Sequence, residues 1–180
     1  YNEKIKPVAT EQIKVKQYFP YAGWSEQDPE EIWKTVSISL RNIIKKNNIR
    51  NNEILSLGIT NQRETTIMWN KSNGKPVYKA IVWQDKRTAN YCKKIKTKKL
   101  ERIIQKKTGL TIDPYFSATK IKWIIENVKI AKSLLKKNQL LFGTIDTWIL
   151  WKLTKGKSHF TDVSNASRTM LYDIIKKNGH

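Results

Sequence analysis

The chain has 180 residues, 39% of them hydrophobic and 10% aromatic, which is enough to bury a core and too much for a disordered chain. Its net charge of +20 invites a nucleic-acid reading, but the excess is lysine spread over nearly every polar stretch ("IIKKNN", "CKKIKTKKL", "LLKKNQ") while arginine, which suits base edges and bidentate phosphate contacts, is scarce. No apolar run reaches the roughly 18–20 residues of a bilayer span, no signal-peptide core follows the first residues, and a lone Cys92 excludes an internal disulfide framework, which together point to a reducing, cytoplasmic setting.

Lysine, Asn and Ile together have the look of the compositional drift of an AT-rich genome, filling tolerant surface positions. The chain opens on Tyr1 and not on Met, so it is expected to start in mid-protein.

In chain order, Ile5–Ala9 and Ile13–Phe19 read as two short strands around a turn at Thr10; the second, "IKVKQYF", alternates with the period of a half-buried strand. "YAGWSEQDPEE" is a loop running into a helix, where Asp28 caps, Pro29 takes the first helical position and Glu31 completes a capping box. Ile32, Trp33, Val36, Leu40 and Ile43 carry that helix at helical spacing to about Asn47. "EILSLGIT" predicts a buried strand over 54–60, "ETTIMWN" another that ends in a "KSNGK" turn, and "YKAIVW" a further short one. Beyond Asp85 the period becomes helical, over 86–96 (with Cys92 as a packing residue), 98–107, 117–127 and 129–138. "LLFGT" is a brief strand feeding the helix "IDTWILWKLT", whose Ile145, Trp148, Ile149 and Leu153 form an apolar stripe. "HFTDVSNASRTMLYD" closes the chain as strand, polar turn and strand. This order predicts an α/β fold, a mixed sheet covered by helices, with ligands gathering beyond the carboxyl ends of strands.

Arg63 and Glu64 stand just beyond the strand expected over 54–60, and Trp83 ends "AIVW" in the same way. With Tyr115 of "TGLTIDPYFSATK" they offer fixed donors, acceptors, a hydroxyl that does either, and an apolar wall. That set suits a small polyol, whose hydroxyls both donate and accept along a carbon chain. The residues alone leave a second reading open, with Arg63–Glu64 a solvated turn and both aromatics in the core. Asp113 ahead of Pro114 favours a turn. Thr144, Asp146 and Thr147 in "FGTIDTW" are expected to cap a helix and not to hold an anion. Asp162, Asn165, Ser167 and Arg168 are expected to hydrogen-bond within a polar turn. Walker-type, dinucleotide and nucleophile-elbow motifs are absent, and His159 with His180 are too few for a histidine metal site.

"GITNQRETTIMW", "AIVWQDKRTA", "TGLTIDPYFSATKIKWI", "LLFGTIDTWILWKLT" and "TDVSNASRTMLYDI" resemble, in order and over nearly the whole chain, the FGGY family of sugar and polyol kinases. Within it, "NQRETT" and "DPYFSATK" resemble the members that phosphorylate glycerol and not those that act on pentuloses. The resemblance implies an actin-like ATPase, ribonuclease H-like mixed sheet with flanking helices, here lacking the first strands. It implies ATP-dependent phosphorylation of glycerol to sn-glycerol 3-phosphate, with Arg63, Glu64 and Tyr115 holding the hydroxyls and Trp83 against the carbon chain. It further implies ATP with Mg2+ as donor, and a cytoplasmic dimer or tetramer with no membrane or specific nucleic-acid partner.

The family's phosphate-binding hairpin, its general-base aspartate and its adenosine site have no counterpart in this sequence. Residues 1–180 are therefore expected to be a partial N-terminal, glycerol-binding domain, inactive and marginally stable alone, with no catalytic residue or metal ligand of its own and nucleotide contacts unassigned. The alternatives are another polyol or sugar kinase of the family and, from a different class, a basic nucleic-acid-binding protein. Charge alone would give the latter only weak, steeply salt-dependent binding.

Overall fold

A computed structural model describes residues 1–179, so His180 lies outside the described residues. The elements run β1 (Gln17–Tyr18), β2 (Glu26–Gln27), α1 (Pro29–Lys46), β3 (Ile67–Asn70), β4 (Ala80–Ile81), α2 (Ala89–Ile95), α3 (Lys98–Thr108), α4 (Ser117–Asn127), α5 (Lys129–Lys136), β5 (Leu140–Gly143), α6 (Ile145–Leu153), α7 (Val163–Ala166), β6 (Tyr172–Asp173) and β7 (Asn178–Gly179). The fold is α/β, and its strands pair antiparallel in three small sheets, β1-β2-β4, β3-β5 and β6-β7.

The helices form where local signals put them. Asp28 Oδ1 accepts from the N–H of Glu30 (2.9 Å) and Glu31 (3.4 Å), and Lys45 and Lys46 sit at the negative end of the α1 dipole. The capping box does not close. Glu31 instead accepts from the Lys16 N–H (3.0 Å) and the Tyr18 hydroxyl (3.5 Å), tying the N-terminal segment to α1.

The strands depart further from expectation. No strand forms over Ile5–Ala9; Asn2 organises a turn there by accepting from Lys4 and Lys6, and Ile5 takes φ 57°. Of Ile13–Phe19 only β1 pairs. The strand expected over 54–60 is absent: Ile54, Leu55, Leu57 and Ile59 are exposed, Leu55 to 91%. An alternating sequence needs a neighbour to take its backbone N–H and C=O groups, and none pairs with this segment among the described residues. "ETTIMWN" and "YKAIVW" are joined by the predicted turn, with Gly74 at φ 67°, but their strand pairing is limited to isolated bridges, Thr66 to Ile81 and, within the turn, Trp69 to Pro76. The main partner of β3 is β5. Near the C-terminus no strand forms before the polar turn, and the turn itself contains α7, which Asp162 caps.

Alternate residues of β3 feed two cores. Ile67 and Trp69 pack with Ile32 of α1 and Ile145, Trp148 and Ile149 of α6, while Met68 packs with Ile124 of α4 and Ala131 of α5. Trp69 and Trp148 meet edge to face at 5.2 Å, and the Trp148 indole donates to the Pro29 carbonyl (2.9 Å). α6 is buried nearly all round: Trp151 joins the core, whereas Leu153, expected in the stripe, is exposed.

Gly143 in β5 lies against this layer, where an added Cβ would fall 2.6 Å from Thr147 Cβ and 2.9 Å from Trp69 Cη2. Gly143→Ala is predicted to destabilise by about 1–3 kcal/mol through overpacking, read as a lower thermal midpoint of the full-length protein. A loss below about 0.5 kcal/mol would mean that Thr147 and Trp69 give way freely.

Candidate functional site

The site is built on the residues leading into β3. Glu64 takes φ 64°, a left-handed conformation that costs a non-glycine residue roughly 1–2 kcal/mol. It is held there by its own carbonyl, which accepts from Thr66 Oγ1 (3.1 Å) and from Ser117 Oγ (3.1 Å), the first residue of α4. Thr65 Oγ1 accepts from the Trp83 N–H (3.3 Å), and Thr66 exchanges both backbone hydrogen bonds with Ile81. Three consecutive residues thus fasten the turn to α4 and to the segment that ends in Trp83.

This brings three of the four predicted residues into one cluster. Trp83, 38% exposed, packs at a tilt on Tyr115 with ring centroids 5.4 Å apart. Tyr115 is presented by the predicted Asp113 turn, in which Asp113 Oδ1 accepts from its N–H (2.8 Å). Glu64 is buried, while the adjacent Arg63 is exposed and its guanidinium has no partner among the described residues.

Arg168 completes the cluster, although its polar turn suggested a structural role alone. Its Nε donates to Glu64 Oε1 at 2.5 Å, and its guanidinium lies 5.5 Å from the Tyr115 centroid and 5.0 Å from that of Phe116. The available signal was residue type, since it is one of six arginines among 35 basic residues. A second addition is Lys120 of α4, fully buried, whose ammonium donates to the Tyr115 carbonyl. Burial lowers its pKa from 10.5 to about 8, with Asp85, Glu64 and Asp113 offsetting part of that effect.

Other candidates are built into the fold. Asp146 accepts from Thr144, from Thr161 (2.7 Å) and weakly from Asn61 (3.4 Å), and Asn61 also reaches Asn165 (3.0 Å). Thr144 occupies the cap position of α6 but spends its hydroxyl on Asp146 and caps no backbone N–H with it. Cys92 is buried in α2, and burial raises its pKa. An open groove of about 790 Å³ lies elsewhere, between residues 11–15 and α1, lined by Ile13, Val15, Val36 and Leu40.

The sequence matches the FGGY family of carbohydrate kinases, N-terminal domain, over residues 1–178. It is 52% identical over 177 residues to glycerol kinase of Mycoplasma genitalium, covering 98% of this chain and 35% of that protein. It is 54% identical over 167 residues to glycerol kinase of Vibrio cholerae, covering 93% of this chain and 33% of that protein. The chain thus spans about a third of the length of the curated relatives it matches. Among solved structures, Plasmodium falciparum glycerol kinase with ADP superposes over 100% of this chain and 36% of that one, with a TM-score of 0.94 and 38% identity. Gluconate kinase from Lactobacillus acidophilus, at 20% identity and a TM-score of 0.85, shares the fold.

The depressed pKa of Lys120 sets a pH signature. Between about 8 (folded) and 10.5 (unfolded) the unfolded chain binds more protons at this residue, so its contribution to stability rises with pH across that window. Lys120→Met removes the term while keeping most of the stem. The thermal midpoint of the full-length protein, wild type minus variant, is predicted to increase from pH 8 to pH 10. Equal pH slopes would show that Lys120 titrates as an ordinary surface lysine.

Proposed function

Because the chain belongs to the FGGY family of carbohydrate kinases, we propose that it supplies the glycerol-holding part of an ATP-dependent glycerol kinase that makes sn-glycerol 3-phosphate. The observation that carries the reading is the buried Glu64 carboxylate, fixed beside a Trp83–Tyr115 wall and next to a guanidinium with no protein partner among the described residues. Glycerol carries three hydroxyls on three carbons. Glu64 accepts from one or two of them, Arg63 donates, the Tyr115 hydroxyl does either, and Trp83 packs against the C–H surface. A site with buried polar groups rejects analogues that leave those groups unpaired, which separates glycerol from less hydroxylated alcohols.

These residues position the attacking oxygen, and in phosphoryl transfer positioning and charge stabilisation carry most of the catalysis. ATP with Mg2+ is the donor in this reading. Among the described residues no group of three His, Cys, Asp or Glu side chains is placed to hold a metal ion, and in this reading Mg2+ arrives with the phosphates of ATP. We assign the proton-accepting aspartate and the adenosine site to other parts of the full-length protein, and residues 1–180 to part of its N-terminal domain. The reaction is placed in the cytoplasm, and the full-length enzyme is read as a homo-oligomer.

Calorimetry of the full-length protein with glycerol, erythritol and xylulose tests the substrate; a preference for xylulose would overturn the reading. Arg63→Ala is predicted to raise the KM for glycerol roughly 10- to 100-fold, the loss of one charge-assisted hydrogen bond, with the KM for ATP nearly unchanged. An equal loss for both substrates would make Arg63 a support of the fold.

A further inference from the structure

Arg168 meets the site through a hydrogen bond and through two aromatic rings at once. Nε, and not a terminal nitrogen, donates to Glu64 Oε1 at 2.5 Å, while the guanidinium stays against the rings of Tyr115 and Phe116 at 5.5 and 5.0 Å. Glu64 Oε2 takes no hydrogen bond among the described residues. The turn that carries Arg168 is itself fixed. Asp162 caps α7, the Arg168 N–H donates to the Asn165 carbonyl (3.1 Å), and the Thr169 carbonyl accepts from Ala118 of α4 (2.9 Å). α4 begins at Ser117, the residue that holds the Glu64 carbonyl, so both ends of the Glu64–Arg168 pair are anchored on one helix.

We infer that Arg168 is a positioning and specificity-determining residue for polyol recognition. It occupies one carboxylate oxygen of Glu64, leaves the other for a substrate hydroxyl, and sets the tilt of the Tyr115 ring. The inference rests on the glycerol-site reading above. Lysine cannot replace it fully: a point charge on a flexible stem can pair with Glu64 but lacks the broad, delocalised guanidinium that reaches both rings at once.

The test is steady-state kinetics of the full-length enzyme and of Arg168→Met, Arg168→Lys, Glu64→Gln and the Arg168→Met/Glu64→Gln double variant, with glycerol and ATP varied separately. Arg168→Met is expected to raise the KM for glycerol roughly 10- to 100-fold and to move the KM for ATP less than about twofold, with Arg168→Lys in between. Because Arg168 acts largely through Glu64, the double variant is expected to lose far less than the product of the two single losses.

An unchanged KM for glycerol, losses that multiply, or equal rises for both substrates would overturn the inference. If Arg168→Met does not fold, Arg168→Lys decides: a wild-type KM for glycerol overturns the inference, and a raised one with normal ATP kinetics supports it. A wild-type enzyme that phosphorylates no glycerol overturns the underlying reading, and that result is visible before any variant is made.

Discussion

The left-handed turn at Glu64 is the constraint on which the site depends. It costs roughly 1–2 kcal/mol in backbone energy. Two side-chain hydroxyls on the Glu64 carbonyl, from Thr66 and Ser117, offset that at about 0.5–1.5 kcal/mol each. The balance is close, so the turn persists because β3 and α4 are both already placed by their own packing. Ladder bonding starts only at Thr66, past the turn, and Met68 then packs toward α4 and α5. A strained residue kept in place by two rigid elements is the arrangement expected where geometry matters more than local stability.

Charge inside the molecule follows a different logic from charge outside. The surface carries the lysine excess, and isolated exposed lysines contribute little to stability. Behind the site, Arg87 is buried and paired with Glu26 (2.8 Å) and Asp85 (2.9 Å), between Trp24 and Trp123 at 3.8 and 4.6 Å. Burial pushes its pKa down, but its bonds to Asp85 and Glu26 outweigh that and leave it raised. Asp85 also accepts from the Ser25 N–H (2.6 Å), joining the loop before β2 to the segment after Trp83. Removing one member of such a buried pair costs about 3–5 kcal/mol, so these charges hold the fold in a way that the net charge does not reveal.

What was legible in the sequence divides by the range of the interaction. α1 and α3 to α6 were readable because caps and apolar spacing act over four residues. The capping box failed because Glu31 had a distant competitor in the Lys16 N–H. Strands failed where alternation existed without a neighbour, as over 54–60, whose exposed Leu55 and Leu57 have a strand's pattern but no ladder. In the candidate site, Glu64, Trp83 and Tyr115 could be grouped from residue chemistry and from resemblance. Arg168 could not, since it lies 104 residues from Glu64 and has no local sign beyond being an arginine. Lys120 read as one more lysine in a lysine-rich chain, and only its complete burial sets it apart.

Arg63 and Glu64 are neighbours in sequence, yet the turn gives them opposite roles. Glu64 has its backbone fixed by two hydroxyls and its carboxylate by Arg168, so accepting a hydroxyl requires little further ordering. Arg63 is exposed and unpaired among the described residues, so engaging a ligand costs it about 2 kcal/mol of rotamer freedom. In the proposed glycerol site the fixed acceptor would therefore set which hydroxyl geometry is recognised, and the free donor would add affinity once that geometry is met. On that proposal selectivity would reside with the buried charge and capture with the exposed one, a division that follows from the positive φ of Glu64 itself.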